Sequence, residues 1–365
     1  MLSNTFVSVI IPAYNKEKTI KRAIESVFKQ TYQSLEVIVI EDNSSDKTLS
    51  HCKRYFNDIR LIFHEENEGL YSSRIEAIDY AQGDFIAFLD ADDWLEPNAI
   101  FQCMVSALND KADIVQMKIN HRLSKWNISL PINNKYNKRQ AIEGCLYNHR
   151  LFPVSCWGKL YRRELLMQAE YIDFDGFWGE DRIFNLPIYD QKPKIEINTK
   201  AIYNYQWGGE SVNSFKEGVI NDYVSVFETK RIWAKQNGYD RYIPLMEQEL
   251  KNLLFYYVRH MIDSENYTKD EIITFLEYEV NVLTGYYLCD NLVSNTRLHR
   301  RNFMEKYFEA TEFKNIKELI SNSADKYANN TAFILKKKIN NEINYENITY
   351  TKLLEDINAL GTKLY

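Results

Sequence analysis

The chain has 365 residues, of which 45% are hydrophobic and 26% charged, so it can bury a sizeable core and lacks the composition of a disordered chain. Its 45 Lys and Arg against 51 Asp and Glu leave a net charge of −6, which argues against broad electrostatic binding of nucleic acid. The five cysteines include no Cys-x-x-Cys pair, so neither a disulfide framework nor a zinc knuckle is indicated.

Over the first 117 residues, short apolar runs alternate with amphipathic stretches. These patterns predict strands at 6–11, 37–40, 61–63, 85–89 and 113–117, and helices at 17–30, 47–56, 69–81 and 97–108. Such alternation predicts an α/β fold with a mostly parallel sheet and helices on both faces. Ligands of such sheets bind beyond the carboxyl ends of the strands, so the segments after the strands are the first candidates for a site.

Three of those segments are rich in carboxylates. Asp90, Asp92 and Asp93 follow the strand at 85–89. Carboxylate oxygens suit Mg²⁺ or Mn²⁺, and Mg²⁺ is usually held by one or two carboxylates together with substrate phosphates. The cluster therefore predicts a metal–diphosphate site, with an Asp-rich turn before the next helix as the alternative.

Two further strand ends suggest contacts with a nucleotide. Asp42 could accept a hydrogen bond from a base N–H, and it would favour uracil because cytosine has an acceptor at the same ring position. Tyr14 could stack on the base, and Arg74 could pair with a phosphate. The alternatives are a capping acid for Asp42, a rim tyrosine for Tyr14 and a surface ion pair for Arg74.

A second acidic pair, Glu180 and Asp181, follows Trp178 and two glycines. Burial beside a Trp would raise a carboxyl pKa toward the range that a general base needs. An N-capping role for the following helix is compatible with this interpretation. Trp157 and Trp178 are candidate stacking surfaces for sugar rings, and core packing is an equal alternative.

Farther along the chain the pattern becomes helical. An apolar stripe at helical spacing predicts a helix packed on the core; its members are Met246, Leu250, Leu253, Leu254, Tyr257 and Met261. A strand is predicted at 332–335, a solvated turn at Lys336-Lys337-Lys338, and a helix from Tyr350 onward.

Taken in order, these segments resemble the GT-A glycosyltransferases of family 2. The resemblance rests on 7–15, 30–32, 37–46, 67–69 with Arg74, 83–86 and 89–93, and more loosely on 159–163, 180–181 and 203–211. It implies a GT-A, Rossmann-like domain over 1–212, with a nucleotide-binding half at 1–117 and an acceptor half at 118–212. A helical region would follow at 213–313.

The resemblance also implies a role for each candidate residue. The implied nucleotide-binding residues are Pro12, Tyr14, Asn15, Glu17, Asp42, Arg74, Asp90, Ala91 and Asp92. Asp92 and Asp93 would hold Mn²⁺ or Mg²⁺, and Asp181, with Glu180 beside it, would deprotonate the acceptor hydroxyl. Gln206 departs from the family, which often has a basic residue there.

The implied activity is metal-dependent, inverting transfer of a hexosyl or N-acetylhexosaminyl group. The donor would be a nucleotide sugar, UDP-linked in our interpretation, and the acceptor a hydroxyl of a saccharide or polyol phosphate in bacterial surface polysaccharide, such as capsule. Two alternatives stay open: a non-catalytic module of the same fold that binds nucleotide sugars or glycans, and a sugar nucleotidyltransferase.

The last residues, 314–365, resemble the N-terminal start of adenylate-forming (AMP-binding) ligases, through 316–320, 324, 331–332 and 348–353. They therefore suggest a piece of a fusion, with a private C-terminal cap as the alternative. No apolar run approaches the roughly 18 residues of a membrane span, and no signal-peptide pattern opens the sequence. We expect a cytoplasmic protein, with peripheral association at the inner membrane face and a homo-oligomer through the helical region left open.

Overall fold

The computed structural model describes residues 5–123, 126–129, 138–148, 152–174, 176, 178–206, 219–263, 331–339 and 342–349. The chain divides into two compact units, Met1–Leu254 and Phe255–Tyr365. The first unit thus extends past the domain boundary expected at 212. All of 264–313, and most of the ligase-like segment, lies outside the described residues. Within the described part, no helix is both long and apolar enough to cross a membrane.

The first 109 residues alternate between strands and helices as predicted. The elements are β1 (Val7–Ala13), α1 (Ile20–Phe28), β2 (Leu35–Glu41), α2 (Thr48–Cys52), β3 (Arg60–Phe63), α3 (Gly69–Tyr80), β4 (Phe85–Phe88), β5 (Trp94–Leu95) and α4 (Ala99–Asn109). All seven residues of β1 are buried, as expected for a central strand covered on both faces. The two-residue β5 is too short for a periodic pattern to reveal.

The described residues that follow contain four strands and five α-helices, the last of which continues past Leu254, the end of the first unit. They are β6 (Ile114–Leu123), β7 (Trp126–Ser129), α5 (Lys138–Leu146), β8 (Lys159–Arg162), α6 (Arg163–Met167), α7 (Glu180–Asp190), β9 (Ile195–Gln206), α8 (Val219–Gln236) and α9 (Ile243–Asp263). Met246 and Leu250 of the predicted apolar stripe are buried. The side chains of Leu254, Tyr257 and Met261 lie outside the described residues.

One mixed sheet runs in the order β3-β2-β1-β4-β8-β6-β9-β5, and β7 pairs with β6. Strand β1 is parallel to β2 and β4, β2 is parallel to β3, and β6 is parallel to β9. Strand β8 is antiparallel to both β4 and β6, and β5 is antiparallel to β9. The α/β fold class is confirmed, with an N-terminal block of four parallel strands.

The parallel register brings the ends of β1 and β2 together, because Ala13 pairs with Glu41. Just beyond these ends, Asn15 and Asn43 have positive φ angles of 51° and 58°. Asparagine tolerates this left-handed conformation better than most residues. Each of these two turns therefore has a residue that suits its backbone conformation.

In the second unit, β10 (Thr331–Ile339) and β11 (Glu342–Thr349) form an antiparallel hairpin. The predicted strand at 332–335 is present, but the turn predicted at 336–338 is wrong: Lys336 lies in β10, opposite Tyr345. Pairing along the hairpin outweighs the low strand propensity of lysine. The chain reverses after Ile339 instead.

Candidate active site

A cavity of about 690 Å³ lies beyond the carboxyl ends of β1, β2 and β4. It is lined by most of the residues that the sequence analysis singled out: Pro12, Tyr14, Asn15, Asp42, Asp90, Ala91, Asp92, Trp157, Trp178, Glu180 and Asp181. These residues come from segments as far apart as 12 and 181 in the chain. The ends of the parallel strands and the start of α7 place most of these residues around one cavity.

Three other candidates, Glu17, Arg74 and Asp93, do not line this cavity. Glu17 connects two loops: its backbone N–H donates to Asp46 Oδ2 at 3.0 Å, and its Oε2 accepts from the N–H of Lys47 at 3.2 Å. Asp46 in turn accepts from the N–H of Thr48, the first residue of α2, at 2.8 Å. Glu17 therefore braces the loops around the cavity.

Arg74 is buried beneath the cavity, with 1% of its side chain exposed. Its Nη2 lies 3.0 Å from Asp90 Oδ1, and its Nη1 lies 2.9 Å from Asp181 Oδ1 and 3.3 Å from Glu180 Oε1. One guanidinium on α3 thus links the end of β4 to the first turn of α7. Direct contact between Arg74 and a nucleotide would require these pairs to part.

The three carboxylates around Arg74 have unequal environments. Burial raises the pKa of Asp90 to about 6, with the charge of Arg74 opposing this and those of Asp92 and Asp181 adding to it. Burial, followed by the charge of Asp181, raises the pKa of Glu180 against the opposing effect of Arg74. Glu180 and Asp181 also lie in the first turn of α7, where the helix dipole favours negative charge.

Asp90, Asp92 and Asp93 each offer a carboxylate oxygen within 4.8 Å of the others. This all-oxygen donor set fits Mg²⁺ or Mn²⁺. Asp92 is partly exposed and pairs with Lys16 Nζ at 2.8 Å. Asp93 is fully buried and accepts from Tyr203 Oη at 2.6 Å and from the N–H of Gln206 at 2.7 Å. Asp92 is therefore the more accessible of these two carboxylates, and Asp93 bonds to β9.

Asp42 lies at the base of the predicted nucleotide region. Its Oδ1 accepts from the N–H of Glu68 at 2.8 Å, and its Oδ2 accepts from the N–H of Gly69 at 2.9 Å. Gly69 has a φ of +84°, a conformation that glycine adopts without strain. Asp42 thus caps α3 from a neighbouring strand and also lines the cavity, so the two interpretations from sequence are compatible.

Trp157 combines the two roles weighed for it. Its ring stacks with those of Tyr203 and Tyr205, at centroid distances of 5.0 and 4.9 Å, while the side chain lines the cavity. Trp178 also lines the cavity, beside the acidic pair. Core packing accounts for part of the Trp157 surface, and the remainder faces the site.

Several cavity residues escaped the sequence analysis. Lys16 directly follows the predicted Asn15, and this adjacency was the available signal. A second wall comes from α8 and α9 and comprises Tyr223, Val226, Phe227, Lys230, Met246, Glu249, Leu250 and Leu253. For Met246, Leu250 and Leu253 the helical spacing indicated core packing, and the other five residues were not singled out. The tertiary arrangement shows that this face borders the cavity.

Comparisons with known proteins show which family the chain resembles. The family described as Glycosyl transferase family 2 matches residues 8–169. GlyA, a glycosyltransferase of Streptococcus pneumoniae serotype 4, is 29% identical over 56% of this chain and 31% of its own length. The uncharacterized glycosyltransferase EpsJ of Bacillus subtilis is 30% identical over 65% of this chain and 70% of its own length.

A solved structure supports the fold. The crystal structure of S. aureus TarS 1-349 in complex with UDP-GlcNAc has a TM-score of 0.56 and 17% identity, covering 93% of this chain and 96% of that one. The chain spans less than a third of GlyA, so it corresponds to only part of that relative. From the family match and the extent of the EpsJ similarity, the chain belongs to glycosyltransferase family 2 and is a glycosyltransferase.

Proposed function

We propose that the chain is a metal-dependent, inverting glycosyltransferase that uses a UDP-sugar. The observation that carries this proposal is the convergence of Asp42, the Asp90–Asp92 segment and Asp181 around one cavity. A base acceptor, a diphosphate–metal site and a proton acceptor are the three functions that such a transfer requires. A cavity that only bound a nucleotide sugar would not need the acidic pair on α7.

Donor binding is assigned to the strand-end segments. Tyr14 is 44% exposed and lines the cavity, so its ring is accessible for stacking on a base. Asp42 would accept the N3–H of uracil, and Pro12, Asn15 and Ala91 would complete the walls of the nucleotide site. Arg74 and Glu17 act as positioning residues in this proposal, since both brace groups that line the cavity.

Asp92 would hold Mn²⁺ or Mg²⁺, with Asp90 beside it. Asp93 would orient the 90–93 segment through its bonds to β9. Such an ion, when bound, offsets the negative charge that develops on the leaving diphosphate. Lys16, paired with Asp92, adds a positive charge at the same edge. The residues present thus supply both ligands for a hard cation and a cationic side chain near a diphosphate.

Asp181 is proposed as the general base, with Glu180 beside it. The N–H of Cys156 donates to Asp181 Oδ1 at 2.9 Å, and Arg74 binds the same oxygen, so the carboxylate is held in one orientation. Asp181 would take the proton of the acceptor hydroxyl while the oxygen of that hydroxyl bonds to the anomeric carbon of the donor sugar. The bond from that carbon to the diphosphate breaks, UDP leaves with the electron pair, and configuration inverts.

The acceptor is proposed to lie between Trp157, Trp178 and the wall from α8 and α9. Aromatic faces suit sugar rings. Because TarS is solved with UDP-GlcNAc, an N-acetylhexosaminyl donor and a saccharide or polyol-phosphate acceptor are the first candidates. A role in surface polysaccharide such as capsule, a cytoplasmic location with peripheral membrane association, and a homo-oligomer belong to the same proposal. The ligase resemblance of 314–365 stays a prediction.

The test is to incubate the full chain with UDP-, GDP-, CDP- and dTDP-sugars, with and without Mn²⁺, and to measure free nucleoside diphosphate in the presence of candidate acceptors. We expect UDP release that requires both acceptor and metal. Nucleotide-sugar binding without transfer would favour the non-catalytic module. Pyrophosphate release from UTP and a sugar phosphate would favour the nucleotidyltransferase.

A further inference from the structure

His64 lies directly behind Asp42 and bridges it to α3. The ring follows β3, has 4% of its side chain exposed, and places Nδ1 at 2.7 Å from Asp42 Oδ1 and Nε2 at 2.8 Å from Glu76 Oε2. His64 does not line the cavity, but its ring contacts Asp42, which does. The sequence offered no spacing that singled out this histidine.

The two contacts constrain the protonation state of the ring. A neutral imidazole carries one donor and one acceptor, whereas ionised carboxylates only accept. Both bonds can therefore form together only when His64 is an imidazolium. The charged groups facing it are Asp42 after β2, Glu76 on α3 and Glu68 at the start of α3, all acidic. Burial lowers the pKa of His64, but the hydrogen bonds that its ring donates to Asp42 and Glu76 outweigh this effect, and the net change in pKa is upward.

The hydrogen bonds that Asp42 already accepts leave one of its two carboxylate oxygens able to accept another. Oδ1 receives His64 and the N–H of Glu68, while Oδ2 receives the N–H of Gly69. A carboxylate oxygen can accept about two hydrogen bonds, so the unfilled capacity is on Oδ2. Asp42 is only 3% exposed, and a buried carboxylate without a compensating charge is costly.

We propose that His64 is a positioning residue that keeps Asp42 a fixed acceptor and thereby makes the donor site select uracil over cytosine. The inference rests on the proposed function, because it assumes that Asp42 meets the base. A fixed anion accepts the N3–H of uracil but opposes the N3 lone pair of cytosine. If Asp42 could rotate, it could accept from the exocyclic amine of cytosine as well.

The pH dependence follows from the same contacts. His64 has a raised pKa, so the imidazolium persists above the usual titration range of histidine and is lost only as pH rises through the raised value. UDP affinity should fall across that pH range. Glu76→Gln removes one of the two carboxylates, so the fall should move to lower pH. Glu66→Gln, at a neighbouring exposed position, is the matched control and should leave the profile unchanged.

The decisive experiment compares His64→Asn with His64→Gln. The Asn amide can reach the position of Nδ1 and still donate to Asp42, whereas the Gln amide reaches the position of Nε2 and donates toward Glu76. Calorimetric dissociation constants for UDP and CDP should show selectivity within about threefold of wild type in His64→Asn and at least about tenfold lower in His64→Gln, since a bond to a charged group is lost.

The outcomes separate two failures. Wild-type UDP binding with unchanged selectivity in both variants would overturn the role of His64 and leave the proposed function intact. A wild-type chain that binds no UDP would overturn the proposed function and this role with it. Nitrogen-15 NMR of the imidazole provides an independent readout: both ring nitrogens should be protonated at pH 7, and a single neutral tautomer would contradict the inference.

Discussion

Arg74 Nη1 lies 2.9 Å from Asp181 Oδ1, and this pair joins α3 to the first turn of α7 across 107 positions of the chain. The same guanidinium reaches Asp90 at the end of β4. The arginine thus couples the proposed general base to the proposed diphosphate segment. Its burial means that this coupling operates beneath the cavity and not within it.

Asp181→Asn should abolish transfer while UDP still binds. Asparagine preserves the shape and can still accept from Arg74, but it cannot take up the acceptor proton. Loss of a general base commonly lowers kcat by about 100- to 10,000-fold, and we expect that range here. Turnover by UDP release and binding by calorimetry should be measured on the same preparation. Asp58→Asn, at an exposed position, is the control, and unchanged turnover in Asp181→Asn would contradict the assignment.

Arg74→Ala should destabilise the first unit strongly. It leaves Asp90, Glu180 and Asp181 close together without the cation that pairs with all three. Removing one partner of a buried ion pair typically costs about 3–5 kcal/mol of unfolding free energy. Urea unfolding monitored by circular dichroism measures this loss. Arg74→Lys should recover part of it, because an ammonium keeps the charge but not the planar fork that joins three carboxylates.

Asp92→Asn and Asp93→Asn should separate metal binding from stability. Asp92 is accessible at the cavity, so its substitution should raise the Mn²⁺ concentration for half-maximal activity at least about tenfold. Asp93 instead holds Tyr203 and the N–H of Gln206, so its substitution should lower the unfolding free energy by about 1–3 kcal/mol. Manganese titration of turnover and urea unfolding, made for both variants, test this division. Equal metal dependence in the two variants would refute it.

Lys230 should give the wild type a distinctive stability profile at alkaline pH. Burial lowers its pKa to about 8, with the charge of Arg182 adding to this effect and that of Glu249 opposing it. Between about pH 8 and the unfolded-state value, the unfolded chain binds more protons than the folded one, so this residue makes stability rise with pH.

Lys230→Met removes that contribution while Arg182 still pairs with Glu249 at 2.7 Å. The unfolding free energy of the wild type minus that of the variant should therefore increase as pH rises from 8 to 10. Urea unfolding at several pH values measures this difference, in which the titrations common to both proteins cancel. A difference that does not depend on pH would show that the lysine has an ordinary pKa.

The amino-acid sequence alone predicts the alternation of strands and helices and the strand-end positions of Tyr14, Asp42 and Asp92. These are local properties, since apolar periodicity reports which face of an element is buried and parallel strands place their carboxyl ends at one edge. The antiparallel insertion of β8 between β4 and β6 was not determined in this way, because strand direction leaves no trace in a short apolar run.

The contacts between distant side chains became evident only from the tertiary structure. From the sequence, Arg74 could pair with a phosphate or form a surface ion pair. Packing of α3 against α7 instead buries it among three carboxylates. His64 shows no motif, yet the register of β3 on β2 places its ring against Asp42. The wall from α8 and α9 has the spacing of ordinary core helices. Long-range packing sets these contacts, and the same local pattern is compatible with many such partners.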